Sequence, residues 1–202
     1  MPRTLLFALS LVCTLLVAAC GSPPSIRESS LLTANFEKAR RLHFVYRQVE
    51  LKTTSSYSYG RGAYIADTGF SQFGALLANQ AAQAFAEKKV AVASAQVIDE
   101  SATFPPQGVM GADNTPLPVL LVAPVSGSSQ GTKQATSISH VFSVRLLDPR
   151  TKRLIWKASI DTRTWSGQDF VMKHAAKTLY DEAYAAKFLG AVAEKMADDG
   201  VI

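Results

Sequence analysis

The stretch Ile138-Ser-His140-Val-Phe142-Ser-Val144-Arg-Leu146-Leu-Asp148-Pro-Arg-Thr-Lys-Arg-Leu154-Ile-Trp156-Lys-Ala158-Ser-Ile160 decides the fold. In its first half Ile138, His140, Phe142, Val144 and Leu146 recur at every second position. In its second half Leu154, Trp156, Ala158 and Ile160 do the same. Side chains alternate between the two faces of a strand, so each half predicts a strand with one apolar face. Between them Pro149 fixes φ for a turn and Asp148 is placed to bond the turn backbone. Pairing even-numbered with even-numbered residues puts both apolar sets on one side. A slip of one residue would turn one set into water, so the register is strongly specified.

Upstream, Val119–Val125 is a continuous apolar run, which predicts a central strand. A strand over Leu42–Leu51 has Val45, Val49 and Leu51 on one face and Phe44 and Tyr46 on the other. Phe73, Leu76, Leu77, Ala81, Ala84 and Phe85 recur at helical spacing and predict a helix over Phe70–Lys88. A short strand, Val90–Ile98, follows it. Downstream, Ser166-Gly-Gln-Asp169 reads as a capping box. It would open a second helix reaching about Ala197, with a stripe of Met172, Ala175, Ala176, Leu179, Ala183, Ala186, Leu189, Ala193 and Met196. Residues 53–69 read as a mobile loop or the far half of a hairpin, and 99–116 as a long loop. The expected fold is α+β: two layers, with a mostly antiparallel four- to five-stranded sheet and both helices on one face.

The other informative segment is the N-terminal one. Met1-Pro2-Arg3 is a short basic start, Thr4–Ala19 is largely apolar, and small residues lead to Cys20. This is the layout of a signal peptide, too short to span a bilayer. Val17-Ala18-Ala19-Cys20 resembles the lipobox of bacterial lipoproteins. That resemblance implies cleavage before Cys20 and acylation of Cys20, whose sulfur acts as the nucleophile. Several acyl chains would then hold the protein on a membrane. In enterobacterial-type lipoproteins an aspartate after the cysteine favours the inner membrane. Gly21 is not that signal, so the resemblance implies the outer membrane, periplasmic face. The expected organisation is a signal peptide over 1–19, a lipidated cysteine and tether over 20–38, and one domain over 39–202.

The hairpin run Phe142–Ala158 is similar to uncharacterised bacterial lipoprotein domains with a D-x-x-T-x-x-x-x-W pattern. Those domains resemble the amino-terminal domain of TolB and curli-secretion-type lipoproteins. The resemblance implies a two-layer α/β shape and assigns no catalytic residue.

Composition excludes several function classes. The chain has two cysteines, and Cys13 leaves with the signal peptide, so the mature domain has no disulfide. No Cys/His spacing suits a metal, and no cofactor motif is present; Gly60-Arg61-Gly62 lacks the third glycine of a dinucleotide fingerprint. The net charge is +5. Arg145, Arg150, Lys152, Arg153 and Lys157 cluster around the turn. They read either as a solvated turn or as a patch for anionic partners. Nucleic acid is not expected beyond the cytoplasmic membrane.

Gly127-Ser128-Ser129-Gln130-Gly131 satisfies G-x-S-x-G, with Asp148, Asp161 or Asp169 and then His174 in hydrolase order. A nucleophile elbow needs a helix directly after the serine, whereas Thr132–Leu147 reads as loop then strand. Serine hydrolysis by Ser129 is therefore the remote alternative. His43 and His140 stand alone on strands. Tyr57, Tyr59, Tyr64 and Trp165 suit either a recognition surface or loop packing.

The expectation is a non-enzymatic, membrane-anchored lipoprotein of the cell envelope. It would touch membrane lipid through acylated Cys20 and bind an envelope protein. The alternative is a carrier or sensor of a lipid or other amphiphile, with a cavity lined by Phe73, Phe85, Trp156 and Leu179.

Overall fold

The computed structural model describes residues 23–33, 36–51, 54–57, 69–102, 116–131, 135–148, 150–151, 153–167 and 180–202. The strands either side of Asp148 are β6 (Ala135–Leu147) and β7 (Leu154–Gly167). They pair antiparallel with Phe142 opposite Ile160, Val144 opposite Ala158 and Leu146 opposite Trp156. The even-on-even register is the one the apolar pattern dictates. Asp148 Oδ1 accepts from the backbone N–H groups of Arg150 and Thr151 at 2.8 and 3.0 Å. These bonds, Thr151's foremost, outweigh burial and hold the Asp148 carboxyl below its ordinary range.

The remaining elements are β1 (Ser25–Leu31), β2 (Arg41–Gln48), β3 (Thr54–Tyr57), α1 (Phe70–Ala86), β4 (Ala91–Asp99), β5 (Val119–Gly131) and α2 (Glu182–Asp198). All strands join one seven-stranded sheet in the order β1-β7-β6-β5-β2-β4, with β3 beside the far half of β5. Val119–Val125 is thus central, as its unbroken apolar run predicts.

Three expectations are corrected. Among the described residues the sheet has seven strands rather than four or five, and it is mixed: β2 runs parallel to both β4 and β5, and β3 parallel to β5. The reason is α1, which lies between β2 and β4 in the chain and serves as the crossover that parallel pairing requires. Residues 25–31, assigned to the tether, form β1 and pair antiparallel with β7. Their bonds are backbone bonds, to which a polar sequence is no obstacle at an edge. Ser166 and Gly167, assigned to a capping box, end β7 instead. Residues 168–179, where the expected second helix would start, lie outside the described residues; the helix Glu182–Asp198 is capped by the side chain of Asp181, which accepts from the Tyr184 N–H.

Both helices pack on the face formed by Leu42, Phe44, Tyr46, Leu120, Val122, Phe142, Val144, Leu146, Trp156 and Ile160. From α1 come Phe73, Leu77, Ala81 and Phe85. From α2 come Tyr184, Ala185, Phe188, Leu189, Val192, Ala193 and Met196, whereas Ala183 and Ala186 of the expected stripe are exposed. Met172, Ala175, Ala176 and Leu179 lie outside the described residues. The opposite face carries a small cluster of Val45, Val119 and Leu121.

Helix α2 ends in a two-bond turn. Gly200 N–H donates to Ala197 O and Val201 N–H to Met196 O, with Gly200 at φ +74°. That left-handed position suits glycine, and the two bonds satisfy carbonyls the helix end would otherwise orphan. Asp199 then clamps helix to sheet: Trp156 Nε1 donates to Oδ2 at 2.8 Å and Lys195 Nζ to Oδ1 at 2.7 Å. Burial works against the charged form of Asp199. Hydrogen bonds from Lys195, Ser29 and Trp156 outweigh it and keep the pKa below the ordinary value.

Gly74 sets how closely α1 approaches the sheet. A Cβ there would sit 2.3 Å from Cδ1 and 2.4 Å from Cε1 of Tyr46. Tyr46 is 2% exposed, so its ring has nowhere to move. Helix propensity alone would credit Gly74→Ala with about 1 kcal/mol of gain. The clash reverses the sign: we expect a net loss of ~1–3 kcal/mol in urea denaturation.

Candidate functional site

Two places gather polar chemistry. The first is buried where β6 and β7 meet the segment before α2. His140 and Thr162 are cross-strand partners. His140 Nδ1 lies 2.5 Å from Tyr180 Oη, and Tyr180 Oη lies 2.9 Å from Thr162 Oγ1. Thr162 Oγ1 donates to the His140 carbonyl oxygen at 3.1 Å. This uses the only hydroxyl proton of Thr162, so Tyr180 donates to Thr162 and His140 Nδ1–H donates to Tyr180. The protons thus run in a closed ring of donors and acceptors.

Phe70 stacks on the imidazole with centroids 4.0 Å apart and planes at 12°. His140 is 5% exposed, Tyr180 1% and Thr162 0%. Burial lowers the pKa of His140 to about 4 and pushes that of Tyr180 above its ordinary value. Tyr184, also raised by burial, reaches about 12. A neutral, sealed imidazole whose Nδ1 proton is committed makes a structural lock between helix layer and sheet. It has no route to a substrate.

The second place is open, on the sheet face the helices leave bare. A cleft of about 290 Å³ is lined by Arg47 from β2, Leu121 and Ala123 from β5, Ser143 and Arg145 from β6, and Glu100 after β4. The register explains it. Tyr46 is opposite Val122, Leu121 is opposite Arg145, and Ala123 is opposite Ser143. Continued by one residue, that register sets the small Ala123 side chain between Arg47 and Ser143, with Arg145 diagonal to it on β6, leaving a trough. Arg47 Nη2 donates to the Glu100 carbonyl oxygen, and Arg145 Nε donates to Ser143 Oγ at 3.0 Å. Lys157 is exposed and directly opposite Arg145, extending the positive surface. Farther along this face Asp161 pairs with Arg27 and accepts from Ser139 Oγ at 2.6 Å. Burial raises the Asp161 pKa, but Ser139 and Arg27 outweigh it, so the carboxyl stays below its ordinary value.

No protein-family model matches the chain, and no curated protein matches it in sequence. Solved structures do overlap it in part. The PelC dodecamer from Paraburkholderia phytofirmans shares 11% identity over 81% of this chain and 97% of that one, at a TM-score of 0.37. A Xanthomonas campestris protein of the DUF330 family model shares 11% over 88% and 94%, at 0.41. A lipoprotein from Neisseria meningitidis shares 13% over 77% and 99%, at 0.37.

The residues singled out in the sequence fall as follows. Cys20, Tyr59, Tyr64, Gly60-Arg61-Gly62, Asp169, His174 and Leu179 lie outside the described residues, as does all of 1–22. Ser129 is mid-strand in β5, opposite Ile138, and 1% exposed. An elbow is a strand-to-helix turn that presents its serine, so the hydrolase geometry is absent there. Phe73, Phe85 and Trp156, expected to line an amphiphile cavity, are each 0% exposed and belong to the core cluster. His43 Nδ1 lies 2.7 Å from Ser94 Oγ, and burial, then the Arg41 charge, lower its pKa. Among the described residues no group of His, Cys, Asp and Glu could hold a metal ion.

Sequence reading missed Tyr180, Thr162, Arg47 and Ser143. The basic run contained Arg145 and Lys157, but its partner Arg47 lies far away in the chain and joins them only through the sheet.

Proposed function

We propose that the protein is a lipid-anchored, non-catalytic module of the cell envelope that binds a protein partner along the edge of its sheet. One observation carries the reading: the contrast between the two edges. β1 is short, carries Arg27 and Glu28, and is broken by a register shift between Ile26 and Glu28. Charge, shortness and irregularity are the devices that keep an edge from pairing with another chain. β4 ends the sheet on the other side among the described residues. After one shift near its start, it runs in regular register from Ser94 to Asp99 with no charge before Asp99 and no proline. Val97 on it is 41% exposed. Such a strand offers its free backbone groups to a partner strand.

The lipobox-like Val17-Ala18-Ala19-Cys20 supports the anchor; no helix among the described residues is long and apolar enough to cross a membrane. Outer-membrane placement, facing the periplasm, follows from the same resemblance and Gly21.

A photo-crosslinking residue at position 97 should trap one adduct of defined mass in cells, and Gln96→Lys should diminish it. An equal adduct from the exposed Lys187 on α2, or none from position 97, overturns edge binding. Cys20→Ala should release the protein from membranes and change its gel mobility. Unchanged partition and mobility would end the anchoring claim.

A further inference from the structure

We propose that the cleft between Arg47 and Arg145 is a binding site for a phosphate-bearing small molecule or headgroup. Two guanidinium groups line one cavity on the helix-free face. Among the described residues the ion pairs are Arg27–Asp161 and Lys195–Asp199, and no carboxylate pairs with Arg47 or Arg145. Glu100 meets Arg47 through its backbone carbonyl oxygen.

Arg47 also keeps a buried Nε with no hydrogen-bond partner. An unsatisfied N–H of a charged group is costly. An anionic oxygen in the cleft would satisfy it. Ser143 Oγ accepts from Arg145 Nε, so its own hydroxyl proton is free to be donated into the cleft.

Planar guanidinium groups suit phosphate because their N–H fork matches two of its oxygens. Lys157, exposed and opposite Arg145, adds a field that draws anions toward this face. The apolar walls, Leu121 and Ala123 below and the 59% exposed Val125 at the rim, suit the organic part of a phosphate ester. The volume lies at the small end of ligand cavities, which fits a headgroup rather than a long chain.

The test is calorimetric titration of the full chain, in nonionic detergent, with glycerol 3-phosphate and with inorganic phosphate. Saturable binding that weakens with salt is expected. Arg47→Lys with Arg145→Gln should lower affinity at least about tenfold, the scale of a lost charge-assisted bond. Lys38→Gln, an exposed cation outside the cleft, should leave it unchanged. Arg145→Gln alone, exposed and outside the core, guards against a folding artefact: it should weaken binding while the thermal midpoint holds.

Competition identifies the source. If phosphatidylglycerol added to the detergent micelles displaces glycerol 3-phosphate and phosphatidylcholine added in the same way does not, the ligand is a lipid headgroup. If neither displaces it, the ligand is a soluble phosphate. Absence of saturable binding by both probes, or equal affinity in the double variant, overturns the proposal.

Discussion

Trp156→Ala lowers the free energy of unfolding by ~3–5 kcal/mol, as read from urea denaturation. Trp156 is 0% exposed and is among the largest fully buried side chains. Its removal leaves a void in the core beneath the helices. The indole also donates to Asp199, just past the end of α2. Asp199 keeps its bond from Lys195, so the carboxylate is not orphaned by the change. Most of the loss is therefore packing, and Trp156→Phe, which keeps one aromatic ring in the core but loses the second ring and the N–H, should cost about 2 kcal/mol. Nearly equal losses in the two variants would show that the Asp199 clamp, rather than the core, dominates.

Acidification from pH 7 to 4.5 removes a further ~2–3 kcal/mol, and His140 is the main cause. Its folded pKa is about 4, against 6.5 for the free side chain, because burial disfavours the imidazolium. As pH falls through 6.5 the unfolded chain takes up a proton that the folded one refuses. Stability is complete above 6.5, declines between 6.5 and about 4, and levels off below, each pKa unit corresponding to about 1.4 kcal/mol. His43, also lowered by burial, works in the same direction. The carboxylates Asp148, Asp161 and Asp199 stay charged below their ordinary 3.8, so they enter only at lower pH. His140→Gln retains a donor for Tyr180 and cannot titrate in this range. Its stability should be lower at pH 7 but much flatter between 7 and 4.5. A slope equal to that of the wild type would locate the acid sensitivity elsewhere.

Particular elements explain how far the sequence could be read. The β6–β7 register was legible because every second residue is apolar and only one alignment buries both sets. The turn chemistry of Asp148 was legible because a short carboxylate acts on its own neighbours. Helix α1 was legible from its spacing, to within two residues. Local alternation could not reveal β1, whose Ser25–Leu31 sequence is polar and whose partner lies more than 120 residues away. Nor could it reveal the bulge between Pro124 and Ser126. There β5 shifts parity, so Leu120 and Val122 share the helix-side face with Gly127 and Ser129.

The sequence by itself determined the hairpin, the amphipathic α1, the apolar central strand and the lipobox-like segment ending at Cys20. Each rests on interactions between near neighbours, or on a motif whose residues are contiguous. Tertiary structure alone decided the mixed pairing, the place of β4 at the end of the described strand order, the sealed His140–Tyr180–Thr162 ring and the cleft between Arg47 and Arg145. Those depend on which strand lies beside which. Strand order is fixed by crossovers and by backbone hydrogen bonds, which every residue but proline can make and which therefore leave almost no mark on side-chain sequence.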